Sequence, residues 1–111
     1  MRLINNNIVN KFRKHPRGSQ KELGMDAIVL VKYFFKSGLA TWLITETTEV
    51  DGDWLVYGYC QIIRWRWGSV RLSELAGLTD HLGQSVIRDI TIGENSTVKD
   101  LVVYRDEREG F

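Results

Sequence analysis

Residues 40–67, ATWLITETTEVDGDWLVYGYCQIIRWRW, form two runs dense in β-branched and aromatic side chains, with a single Asp-Gly pair between them. Such side chains suit a pleated, half-buried surface, and Asp-Gly accepts the positive backbone angles of a two-residue turn. The segment is therefore expected to be an antiparallel hairpin. WLVYGYCQIIRWRW returns along ATWLITETTEV as one long strand, which Gly68 ends or kinks. A chain of 111 residues built on that hairpin is expected to be one domain, 1–111, with one core, since roughly two thirds of the unfolded surface is buried at this length.

The flanking segments have other periods. Ile4, Ile8 and Phe12 recur every fourth residue, which predicts an amino-terminal helix capped by Asn5, with Ile4 and Val9 as a hydrophobic staple and an end near Lys14, before His15-Pro16. Residues 15–26, HPRGSQKELGMD, read as a polar loop and as the most mobile internal stretch. AIVLVKYFF predicts a strand ended by SGL, and SVRL a shorter strand after Gly68. Ser73 is placed to cap a short helix through ELAGL, TDHLGQS reads as a loop, and VIRDITI as a further strand. At the tail, Ser96 is placed to cap a helix over TVKDLVVY, although Val98, Val102 and Val103 also suit a strand. Together these elements predict an α+β fold: a mostly antiparallel, twisted sheet of about five strands, an amino-terminal helix, a short helix after the fourth strand and a carboxy-terminal helix.

Composition narrows the setting. Hydrophobic residues make up 43% and charged residues 26%, and no apolar run approaches the roughly 20 residues of a membrane helix. The amino terminus lacks the apolar segment of a secretory signal, so a soluble cytoplasmic chain is expected, away from membranes. Cys60 is alone and reads as a small buried hydrophobe; with two histidines it cannot close a zinc site from nitrogen and sulfur ligands. Neither a metal nor a cofactor motif is found. The net charge of +1 hides an asymmetry, because residues 1–36 carry eight bases against two acids and the remainder seven against twelve. That division allows electrostatic steering of a charged partner, or neutralisation within the fold or between copies.

The stretch QIIRWRW interleaves cations with indole rings. On a strand, alternation sends Trp65 and Trp67 to one side with Tyr57, Tyr59 and Ile63, and Arg64 and Arg66 to the other. The rings are expected inward and the guanidinium groups outward, which favours a packed sheet over a base-stacking platform. Arg64, Arg66 and Arg71 can still form a basic ridge, and with Lys11, Arg13, Lys14 and Arg17 they are the candidate binding residues for phosphates.

VKYFFKSGLATWLITETTEVDGDWLVYGYCQI, followed by WGSVRLSELAGLTDHLGQSVIRDITI, resembles the family described as domain of unknown function 2958, most specifically in TWLITE, YG, LSEL and IRD in that order. The likeness covers about residues 28–92, apart from the basic helix and loop at 1–26. It implies a small bacterial protein of the kind carried on plasmids, phages and integrative elements, and brings no activity with it. Within those pieces Glu46, Glu74, Arg88 and Asp89 form a candidate polar cluster, beside Thr45 and Ser73. Converging carboxylates around Arg88 would suit hydrolysis, whereas an ion pair of Arg88 with Glu46 or Glu74 is the structural alternative. Neither His15 nor His81 has a nucleophile at a recognisable spacing, and no catalytic residue is assigned.

The leading expectation is a non-catalytic accessory or regulatory module that binds a protein partner, through sheet edges open to a partner strand or a second copy. Nucleic-acid binding through residues 11–21 with Arg64 and Arg66 is the second expectation, and a small hydrolase using Glu46, Glu74 and Arg88 the third.

Overall fold

Asn5 opens the first helix as its position predicts. In the computed structural model, which describes residues 3–102, its side-chain oxygen accepts the Ile8 N–H at 2.9 Å, and α1 (Asn6–Lys14) follows. Ile8 and Phe12 are buried, with Ile4 and Val9 packed beside the same core. Five strands come next: β1 (Val31–Phe34), β2 (Thr41–Val50), β3 (Asp53–Gln61), β4 (Trp65–Arg71) and β5 (Ile87–Arg88). They form one antiparallel sheet in the order β4-β3-β2-β1-β5. The short helix α2 (Leu72–Gly77) follows β4 directly, and residues 98–102 are helical. The α+β class and the arrangement of elements are those predicted.

The Asp-Gly turn is where the sequence places it. Asp51 and Gly52 have φ of 52° and 77°, and Val50 pairs with Asp53 across a two-residue connection. Partway along this hairpin the register shifts between Ile44 and Glu46, leaving Thr45 as a bulge. Near the bulge the backbones come so close that a Cβ on Gly58 would lie 1.8 Å from the Leu43 carbonyl oxygen. Only glycine fits there.

Several boundaries differ from expectation, each for a local reason. The long strand expected through Trp67 ends at Gln61, the chain turns at residues 62–64, and Trp65–Arg71 runs back as a separate strand that includes SVR. Alternation alone cannot mark that turn, because Ile62 and Ile63 look like strand residues. The first strand begins only at Val31, since residues 27–29 bond instead to residues 96–98. VIRDITI yields a two-residue strand because Asp89 accepts the Thr91 N–H and hydroxyl and turns the chain. Ser73 does not cap α2. It donates its hydroxyl to Asp53 Oδ2 at 2.6 Å, and Asp53 Oδ1 accepts the Ser73 N–H, so the carboxylate at the start of β3 serves the helix terminus.

Register assigns every side chain to a face. The front face carries Tyr33, Trp42, Ile44, Val56 and Cys60, covered by α1 and α2 through Phe12, Leu72 and Leu75 in the larger core. Phe12 meets Trp54 edge-on at 5.2 Å between ring centroids, and Thr47 Oγ1 donates to the Phe12 carbonyl. The back face carries Leu43, Tyr57, Tyr59, Trp65 and Trp67. A second, smaller core of Ala27, Val29, Leu43, Val98 and Val102 covers part of it, with Tyr59 and Trp65 packed alongside.

Candidate functional site

The back face beyond that smaller core holds a ladder of rings. Tyr57 stacks on Trp67 at 5.7 Å, Trp67 meets Tyr59 at 5.0 Å, and Tyr59 stacks on Trp65 at 5.2 Å. The predicted grouping of Trp65 and Trp67 with Tyr57 and Tyr59 is correct, although Ile63, placed with them, lies in the turn at 62–64 and is 95% exposed; the grouping comes from hairpin pairing, Trp67 opposite Tyr59 and Ser69 opposite Tyr57. The inward sense holds for Trp65, which packs beside the smaller core, and fails for Trp67. The main core lies on the opposite face, and Trp67 remains 37% exposed.

Cations reach this aromatic face from the loop after α1. The Arg17 guanidinium sits 3.6 Å above the Tyr57 ring centroid and bonds Glu46 Oε1 at 2.7 Å. Glu46 is 1% exposed, and it also accepts the N–H groups of Gly18 at 2.7 Å and Gln20 at 3.1 Å. Burial pushes its carboxyl up, but the bonds from Gly18, Arg17 and Gln20 outweigh that and hold it below the usual carboxylate range. Gln20 completes the clamp by bonding the carbonyls of Ile28 and Thr45 and accepting the Ile28 N–H. The loop expected to be the most mobile internal stretch is thus fastened to the sheet at several points. Together Arg17, Lys21, Thr45, Glu46, Tyr57 and Trp67 border an open cleft of about 590 Å³.

The front face has a different feature at its β4 side. Arg66, Gly68 and Val70 lie there opposite Cys60, Gly58 and Val56. Gly68 leaves a notch of about 200 Å³ floored by Trp42 and Cys60 and flanked by Ile62 and Leu78. Burial pushes the Cys60 thiol up to about 12, against a smaller opposing pull from Arg66, so the thiol is an inert part of that floor. Among the described residues β4 has a strand on one side only.

The predicted residues do not assemble as one site. Arg64, in the turn before β4, and Arg66 border one pocket with Ile62 and Ile63, but Arg71, opposite Leu55, faces the back, so the three form no single ridge. Lys11, Arg13 and Lys14 stay on α1, and only Arg17 of the basic segment's candidates reaches the rings. The polar cluster is dispersed as well. Glu46 shares the back face with Tyr57, Glu74 is exposed on α2, and Arg88 pairs in register with Tyr33 on the front. The expected ion pair of Arg88 with Glu46 or Glu74 is therefore absent, because the sheet itself separates Arg88 from Glu46. Arg88 lies near Tyr33, whose hydroxyl burial pushes far up and whose shift Arg88 partly opposes; its buried Nη1 atom has no hydrogen-bond partner. Asp89 pairs instead with Lys32 at 3.3 Å. Gly68, expected to end or kink a long strand, instead lies in the middle of β4; the notch it leaves and the Glu46 clamp were not foreseen, and only the glycine inside a strand-like run carried any signal.

Set beside known families, this chain is matched over residues 3–108 by the model described as Protein of unknown function (DUF2958). The chain belongs to the DUF2958 family. That match extends past residues 28–92 to include α1, its loop and the tail. Thus the Arg17–Glu46 clamp lies wholly inside the DUF2958 region. No curated protein and no solved structure matches the chain. Among the described residues no helix is long and apolar enough to cross a membrane, and no group of three His, Cys, Asp or Glu is placed to hold a metal ion.

Proposed function

We propose that this DUF2958 protein is a non-catalytic accessory or regulatory module of a bacterium or mobile element, and that it acts by binding another protein. The observation that carries the reading is the open β4 edge. Among the described residues its seven strand residues have a partner on one side only, beside Ile62, Ile63 and Leu78, which are 55%, 95% and 40% exposed. An unpaired edge offers backbone donors and acceptors to an incoming strand, and apolar side chains at its rim add contact area. The saturated Glu46 supports the same reading, since a carboxylate already accepting three hydrogen bonds is a poor general base. The test is affinity capture of the tagged protein from its native host, with and without nuclease. The reading expects a protein partner that survives nuclease treatment; recovery that depends wholly on nucleic acid would refute it.

One observation favours a second reading. Arg17 and Lys21 stand beside Tyr57 and Trp67 at one cleft, and cations next to half-exposed rings are what single-stranded nucleic acid uses for phosphates and bases. Titration of a fluorescent single-stranded oligonucleotide at several salt concentrations tests it. Affinity should fall steeply with salt and be lost with Trp67→Ala. Salt-insensitive binding, or none, would dismiss it.

A further inference from the structure

We infer that the β4 edge accepts an extended protein segment that runs antiparallel to β4, with an apolar side chain in the Gly68 notch and a carboxylate two residues further on against Arg66. This rests on the protein-binding reading above and specifies the partner's chemistry. Residues two apart on a strand share a face, so a strand laid along Trp65–Arg71 brings three alternate side chains over the front of β4, beside Val70, Gly68 and Arg66 in turn. The first two positions meet the apolar notch of about 200 Å³ lined by Trp42, Cys60, Ile62, Val70 and Leu78. The third meets an exposed guanidinium that enters no ion pair among the described residues. The partner therefore reads apolar, any, apolar, any, acidic.

Charge selects a foreign strand over a second copy. The strand Trp65–Arg71 carries Arg66 and Arg71 and no acid, and Arg64 precedes it, so pairing β4 with itself would bring Arg66 no counter-charge. An acidic segment supplies that counter-charge and gains the cross-strand attraction. Gly68 is free to specify the apolar position, because a Cβ there would meet nothing within 4 Å. A Cβ at 68 has room, and a long side chain there would occupy the notch that Gly68 lines.

Two fluorescein-labelled peptides, TVTVTET and TVTVTKT, titrated by anisotropy against the full chain, test the inference. The acidic peptide should bind about fivefold or more tightly than the basic one, the range expected for exchanging attraction for repulsion across a strand pair. Gly68→Leu should abolish binding with its melting temperature unchanged. Arg66→Glu, which reverses the charge at the rim of the notch and leaves Gly68 in place, should invert the preference. Equal binding of the two peptides, binding of neither, or retention of the acidic peptide by Gly68→Leu would overturn the inference. So would a concentration-dependent dimer in sedimentation that disappears in Gly68→Leu, since a second copy would then own the edge. Capture from host extract separates the two levels. If the parent and Gly68→Leu retain the same proteins, the edge assignment fails and the protein-binding reading stands; if neither retains any protein after nuclease, both fail.

Discussion

Gly58 and Gly68 face one another across the β3–β4 pair, and only one of them is dictated by the backbone. At Gly58 an added Cβ would lie 1.8 Å from the Leu43 carbonyl oxygen, whereas at Gly68 it would meet nothing within 4 Å. The first glycine permits the bulge that sets the Glu46 register; the second leaves a surface notch.

Gly58→Ala should therefore cost more than about 3 kcal/mol, the upper range for forced overpacking, because backbone and not a flexible side chain must give way. Gly68→Ala should be neutral or slightly stabilising, since strand glycines give up more conformational freedom on folding. Urea denaturation of both variants checks the pair. Similar midpoints would contradict the packing described at the bulge.

Glu46→Gln should lower stability by about 3 kcal/mol, taking the loss of a charged acceptor as about 1–3 kcal/mol for each donor left poorly satisfied. It should also alter the acid side of the stability profile. Since the folded state holds the Glu46 carboxyl below its ordinary range, its stabilisation is complete above the unfolded value of about 4.3 and is lost as pH falls through the lower folded value. Thermal melts of the parent should decline more steeply than those of Glu46→Gln as pH drops from about 5. Parallel profiles would mean that Glu46 titrates alike in both states.

The Cys60 thiol, pushed up to about 12 by burial, should be nearly silent toward alkylation in the native protein. At pH 8 such a group is thiolate in roughly one molecule in ten thousand. Iodoacetamide labelling followed by mass spectrometry should proceed promptly only in denaturant. Fast native labelling would show that the notch floor is open to solvent.

The sequence displayed what depends on local chemistry. Asn5 as a cap, Pro16 as a stop and Asp51-Gly52 as a turn each act within a few residues, and each is where the pattern put it. The strand-to-face assignment was half legible. Alternation grouped the rings correctly, but which face becomes the core depends on where α1 and α2 pack, and no period encodes that. Arg17 and Glu46 are 29 residues apart in the chain, so their pairing follows from the fold and not from spacing. The turn at 62–64 was hidden because Ile62 and Ile63 resemble strand residues; their exposure becomes intelligible only beside the open edge of β4.

Hydrogen exchange on the complex with the captured protein partner tests the central claim most directly, because added strand pairing protects backbone amides regardless of side-chain identity. Protection gained within residues 65–71 is the predicted result. Protection confined to residues 17–21, with β4 unchanged, would contradict it and move the binding surface to the cleft above Tyr57.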